Sequence, residues 1–190
     1  MNKQYVRFVI LLMLPIIVQA NLRENPNSLK IRAAAFIPTS KLFREIYQTV
    51  GPCIELEYAY RFRDYLEGWG NFDWFFKHGR SVGLNNPTKV KVANFSFGLK
   101  FPYNIKQCHE VYIGTGPSIS GIWLTNKSCC GCEKVSKPAG GIIVKSGYYY
   151  NFSKHLFLDF FADYLYQPIH FQHRVDIGGL KMGIGFGGKF

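Results

Sequence analysis

Several residues of this 190-residue chain have types and spacings that could do chemistry. Glu55 and Glu57 stand two apart. On an extended strand that puts both carboxylates on one face, as an acid–base pair requires. Cys129-x-x-Cys132 has metal-site spacing and Cys130 adds a third thiol. Zinc usually takes four ligands, so His170 or His173 would have to complete the set. Ser153 and His155 lie close enough to raise nucleophilic catalysis, with His170 and His173 as further bases. Each has a plainer competitor. Carboxylates answer nearby Lys and Arg. Thiols of an exported protein form disulfides. No serine nucleophile motif accompanies the histidines, and no convincing triad emerges. The expectation is no catalytic residue, no metal and no cofactor.

What must position these residues is a series of strands. The first twenty residues stand apart from them. Lys3 and Arg7 precede an apolar run, Phe8 to Val18, and Val18-Gln19-Ala20 offers small residues before a cut, the pattern of a signal peptide. Residues 1–20 are therefore expected to be a signal peptide and 21–190 one domain. Removing residues 1–20 leaves 170 of 190 residues and, without Lys3 and Arg7, a formal charge of +9 in place of +11.

The rest alternates at period two. Leu29, Ile31, Ala33, Ala35 and Ile37 share a face against Lys30 and Arg32. Ile54 to Phe62 alternate with Cys53, Glu55, Glu57, Ala59 and Arg61. Phe72, Trp74 and Phe76 oppose Asn71, Asp73, Phe75 and Lys77. Ala93 to Phe101 oppose Asn94, Ser96, Gly98 and Lys100. Val111, Ile113, Thr115, Ile119 and Trp123 oppose Glu110, Tyr112 and Ser118, with Pro117 predicting a bulge or irregularity. Ile142, Val144, Tyr148 and Tyr150 oppose Ile143, Lys145 and Tyr149. Leu156 to Tyr166 oppose Phe157, Asp159, Phe161 and Asp163. Leu180, Met182, Ile184, Phe186 and Phe190 oppose Lys181 and a row of glycines. Ser40 is set to cap a short helix over Lys41–Thr49 in the first long connection. Long connections at 38–52, 78–89, 124–139 and 167–175 alternate with short ones.

This predicts an all-β fold: an eight-stranded antiparallel up-and-down transmembrane β-barrel with a short helix in its first outer loop. A lipocalin-like soluble barrel would turn the apolar face inward around a ligand. Three features favour the inverted arrangement. The polar face mixes glycine with charges of both signs, as a narrow lumen requires. Aromatics gather at both ends of the apolar face, with Phe62, Phe101, Tyr150 and Phe190 at one end and Phe76, Trp123 and Tyr166 at the other. Signal peptide and terminal Phe bracket the chain.

The whole mature chain resembles the small eight-stranded outer-membrane barrels of the OmpA/OmpX/Opa type. The hairpin Ala33-Ala34-Ala35-Phe36-Ile37-Pro38-Thr39-Ser40, Phe43-Arg44-Glu45-Ile46-Tyr47 and Glu55-Leu56-Glu57-Tyr58 is similar to a pattern in uncharacterised members of that superfamily. The resemblance implies a bacterial outer-membrane location and insertion by the barrel-insertion machinery, which would read Phe186 and Phe190 as its signal. The long OmpA proteins carry a peptidoglycan-binding domain after the barrel; nothing follows Phe190, so that anchoring role is not expected.

Within the barrel, Arg32, Glu55, Glu57, Arg61, Asp73, Lys100, Asp159, Asp163 and Lys181 are expected to form a charged lumen network, with Lys181 pairing Asp159 or Asp163. Cys53, Cys108, Cys129, Cys130 and Cys132 are the disulfide candidates. Five leave at least one unpaired in a monomer, so an intermolecular disulfide through Cys108 or a loop cysteine is expected. The functional expectation is a structural or surface-interaction role, through adhesion or envelope integrity, in contact with bilayer and lipopolysaccharide and with a surface ligand on the outer loops. The scattered basic residues argue against nucleic acid. A small-solute porin and, behind it, a lipid-modifying enzyme are the alternatives.

Overall fold

The computed structural model describes residues 25–47, 50–80, 86–128, 131–170 and 174–190. Residues 1–20, the expected signal peptide, lie outside them. Strands β1 (Asn27–Pro38), β2 (Gly51–Arg63), β3 (Leu66–Arg80), β4 (Pro87–Lys106), β5 (His109–Ser128), β6 (Gly131–Asn151), β7 (Leu156–Tyr166) and β10 (Gly179–Lys189) form the barrel. Each pairs antiparallel with its neighbours, and β10 closes onto β1 from Ser28–Lys189 to Pro38–Gly179. Closure leaves no open edge around the ring, which is what a membrane demands of strands. Helix α1 (Lys41–Tyr47) follows β1; Ser40 Oγ accepts from Phe43 N at 3.4 Å, the N-cap contact.

The alternation sorts cleanly. Ile31, Ile54, Phe72, Trp74, Phe95, Phe97, Ile113, Ile119, Ile142 and Ile184 are exposed on the outside, while Lys30, Arg32, Glu55, Glu57, Lys100, Lys145, Asp159 and Asp163 are buried inside. A water-soluble protein does the reverse. On β4 the outward apolar row runs from Tyr103 to Phe95 and ends at Ala93. Ten residue steps span about 34 Å along a strand, which a tilt of about 40° reduces to about 25 Å of height, the thickness of an outer-membrane apolar band. The soluble-barrel arrangement is thereby excluded.

Three local expectations are corrected and a fourth takes a particular form. The stretch 78–89 is shorter as a loop, because β3 continues through Gly79 to Arg80. Gly79 is a close-approach site: a Cβ there would collide with the Ile46 carbonyl of α1. The stretch 124–139 is mostly a β5–β6 hairpin paired to Ser128–Gly131. Pro138 is tolerated because β6 pairs β7 only from Ile142–Tyr166 onward, so residues before it form an edge that needs no donor there. The stretch 167–175 contains a two-stranded sheet, β8 (Pro168–His170) with β9 (Arg174–Asp176). Asp176 Oδ1 ties it down, accepting from Gln167 N and Gly178 N, each at 2.9 Å. Finally, the irregularity expected at Pro117 is present as a gap in the ladder and not as a bulge. The β4–β5 ladder omits the positions of Phe97 and Gly98 and resumes in the same register at Leu99–Thr115.

Candidate functional site: a charged lumen under an apolar plug

Inward positions of β1, β2, β4, β6, β7 and β10 project into a lumen that an eight-stranded barrel leaves just wide enough for side chains. Arg32 is its hub, with no solvent exposure. Its Nε lies 2.7 Å from Asp159 Oδ2; its Nη1 lies 2.9 Å from Asp163, 3.3 Å from Glu57 and 3.4 Å from Glu55. Its Nη2 donates to the Tyr112 hydroxyl. The guanidinium stacks 3.9 Å from the centroid of Phe161. A planar, always-charged fork suits this shared role better than an ammonium would. Glu57 is the matching anionic hub: Lys30 Nζ approaches at 2.9 Å and Lys145 Nζ at 3.0 Å, and Lys100 donates to it. Lys145 also reaches Asp163 at 2.9 Å.

The glycines of β10 make the room. A Cβ on Gly185 would stand 2.8 Å from Arg32 Cγ, and one on Gly187 would stand 2.8 Å from Lys30 Cβ. Two layers extend the network along the axis. Towards the loop end, Lys181 Nζ bonds Asp73 at 2.6 Å and approaches Glu55 at 3.6 Å; Asn94 Nδ2 donates to the same Asp73 oxygen at 2.8 Å. Towards the termini, Arg61 Nη2 bonds Glu67 at 3.0 Å and also pairs with Glu110. Arg61, Glu67 and Glu110 floor an open polar vestibule of about 730 Å³, lined also by Asn27, Asn104 and Lys189. Among the described residues the buried charges are Lys30, Arg32, Arg61, Lys100, Lys145 and Lys181 against Glu55, Glu57, Glu67, Asp73, Glu110, Asp159 and Asp163. Near-balance is required, because an unmatched charge out of water is costly.

Above the Lys181 layer the chemistry changes. Phe36, Phe43, Phe75, Val90, Ile122, Ala139, Ile169 and Ile177 form one buried apolar cluster across the loop end. Phe36 and Phe75 meet edge-on, centroids 5.0 Å apart. Helix α1 contributes Phe43 and Tyr47, and burial pushes the Tyr47 hydroxyl pKa up. The space left between plug and Lys181 is about 20 Å³, room for about one water.

The sequence-predicted residues distribute as follows. Arg32, Glu55, Glu57, Lys100, Asp159 and Asp163 come together in one network; Asp73 and Lys181 form its upper layer and Arg61 its lower one. Lys181 does not pair with Asp159 or Asp163. Its backbone is registered with Asp163, but Arg32 and Lys145 occupy that carboxylate, and the Lys181 side chain reaches across to β2 and β3. Glu55 and Glu57 face cations rather than a shared substrate position. Cys53, a disulfide candidate, has no partner thiol among the described residues. It is buried and free, its Sγ 3.9 Å from Asp73 Oδ1, walled in by Phe36 and Phe75. Cys108 is free and exposed in the β4–β5 turn. Ser153 Oγ accepts from the His155 backbone N at 3.3 Å, and the His155 ring Nδ1 lies 3.3 Å from the Lys189 carbonyl, so the Ser153 hydroxyl is engaged with the His155 backbone rather than its ring. Cys129, Cys130 and His173 lie outside the described residues, as do the side chains of Cys132 and His170. Phe186 and Phe190 both face outward and are exposed.

Sequence reasoning missed the lumen aromatics. Tyr112 and Tyr149 stack at 4.5 Å and their hydroxyls join the network at Arg32, Asp159 and Lys30; Phe157 meets Tyr149 edge-on. Their inward parity was the available signal.

Neither a known protein-family profile nor a curated protein sequence matches the chain. Solved structures do. The Neisserial surface protein A is 16% identical with a TM-score of 0.66, covering 87% of this chain and 97% of that one. The outer membrane protein OprG of Pseudomonas aeruginosa is 15% identical with a TM-score of 0.64, covering 88% and 97%. The attachment invasion locus protein Ail of Yersinia pestis, solved with the heparin analogue sucrose octasulfate, is 16% identical with a TM-score of 0.58, covering 87% and 99%. At such identities the likeness is one of fold. The fold is that of the small eight-stranded outer-membrane barrels.

Proposed function

We propose that this chain is an integral protein of the bacterial outer membrane, with a structural or surface-interaction role and neither a solute path nor a catalytic centre. The observation that carries the reading is the closed lumen. A porin keeps water in its bore, whereas here cross-lumen ion pairs fill the barrel and an apolar plug covers them. What remains free for interaction is the exterior. The loop-end elements α1, the β5–β6 hairpin and the β8–β9 sheet are the candidate contact surface, since surface loops on a rigid scaffold commonly carry binding. The sulfated ligand in the Ail structure is consistent with an anionic surface partner for this chain too. The outward-facing Phe186 and Phe190 are available to the insertion machinery, and the exposed Cys108 is proposed to form an intermolecular disulfide.

The test combines gel mobility and surface access. Refolded into vesicles, the protein should run faster unheated than boiled, and a tag placed at residues 129–130 should be reached on intact cells. Failure of both would contradict a membrane barrel.

A further inference from the structure

The outside of the barrel is not uniform at its loop end. On β3–β6 the apolar rows end in cations: Arg80 on β3, Lys89 and Lys91 on β4, and Lys134 on β6, all exposed. The ladder sets Lys89 and Lys134 in one row through Thr125, with Arg80, opposite Pro87, one outward position further along. Lys91 stands between Phe76 and Trp123, Lys89 between His78 and Thr125, and Lys134 opposite Thr125. Trp123, beside Lys91, meets Trp74, the ladder partner of Ala93, with ring centroids 6.2 Å apart. Among the described residues no carboxylate lies within ion-pairing distance of these four cations. On β7, β10, β1 and β2 the last outward positions at the loop end are Tyr166, Leu180, Ile37 and Pro52, none of them a cation.

We propose that this wall is a docking site for a bis-phosphorylated, multiply acylated glycolipid of the outer leaflet, such as the lipid portion of lipopolysaccharide. The inference rests on the membrane-barrel reading and adds a place and residues to it. The argument is complementarity in two registers. The cations span three strand spacings, about 15 Å, so they engage separated phosphates together, which a lipid with one phosphate cannot match. Beside and beneath them, the exposed tryptophans and phenylalanines of β3–β5 offer an apolar wall for several acyl chains. Arg and Lys next to an anionic lipid surface each contribute about fivefold in binding. The cations are exposed, so the attraction weakens with salt.

The test uses the full barrel refolded in a neutral detergent, with fluorescent lipopolysaccharide titrated in and binding followed by anisotropy. Lys89→Gln/Lys91→Gln should weaken binding about 25-fold. Lys106→Gln/Lys154→Gln, at the opposite end, should leave it unchanged. Phosphatidylglycerol should compete far less well than unlabelled lipopolysaccharide, and inorganic phosphate should not compete. Equal binding by the two double variants would overturn the site. Equal competition by phosphatidylglycerol, or displacement by phosphate, would overturn the assignment to a bis-phosphorylated glycolipid. Every sample is first checked for the faster unheated mobility. Its loss in the unaltered protein would strike the membrane-barrel reading itself, whereas absent binding with mobility intact strikes only this inference.

Discussion

Arg32→Met is the perturbation that probes the lumen hardest. Arg32 lies within 3.4 Å of four carboxylates, on Glu55, Glu57, Asp159 and Asp163, and is fully buried. Methionine keeps much of the side chain's bulk and removes the charge. The lumen then holds five cations against seven carboxylates, and Asp159 loses its closest partner. Breaking a buried pair in this way costs about 3–5 kcal/mol, or roughly two to three and a half decades in the folding equilibrium. The assay is urea unfolding in phosphatidylcholine vesicles, followed by fluorescence of the three tryptophans; Trp69 lies in the lumen, with Lys145 Nζ 4.8 Å from its ring. Adding Asp159→Asn should recover part of the loss, because the second change removes one of the stranded charges. A loss below about 1 kcal/mol, the range of exposed ion pairs, would mean that water screens these charges, and the closed-lumen account would fail.

Other expectations follow from the same geometry. Gly185→Val should sharply reduce the folded fraction because its Cβ meets Arg32 Cγ, whereas Gly188→Ala, with no neighbour closer than 3.7 Å, should stay within about 0.5 kcal/mol of the unaltered protein; urea midpoints decide. Phe75→Ala should cost about 3–5 kcal/mol yet create no conductance, since the Lys181–Asp73 layer beneath the plug stays closed. In folded protein a bulky maleimide should label Cys108 and spare Cys53 until unfolding, as mass spectrometry of tryptic peptides will show. Non-reducing gels of native membranes should contain a cross-linked species that Cys108→Ser abolishes; identical mobility with and without reductant would refute the disulfide.

Much of the architecture was legible because a strand's period of two is read directly from the chain. Lys30 and Arg32 against Leu29 and Ile31 state which side is which once the barrel is known to be inverted. What lies opposite across a lumen is not periodic. The partner of Lys181 depends on tilt and closure, and a lysine's long stem let it bypass its registered neighbour Asp163 for Asp73. Breaker residues also misled. Gly79 and Pro138 look like loop residues, but one makes space for α1 and the other sits on an unpaired edge. The plug was invisible for a related reason. Phe36, Phe75 and Ile122 each obey strand parity, yet they meet Phe43 and Ile169, from a seven-residue helix and a three-residue strand, only in three dimensions.

The most direct test of the central claim is planar-bilayer recording of purified protein whose insertion has been verified by its unheated mobility. A lumen closed by ion pairs and an apolar plug predicts a baseline free of unitary steps across a wide voltage range. Reproducible steps from verified, inserted protein would contradict it and return the chain to the class of small-solute porins.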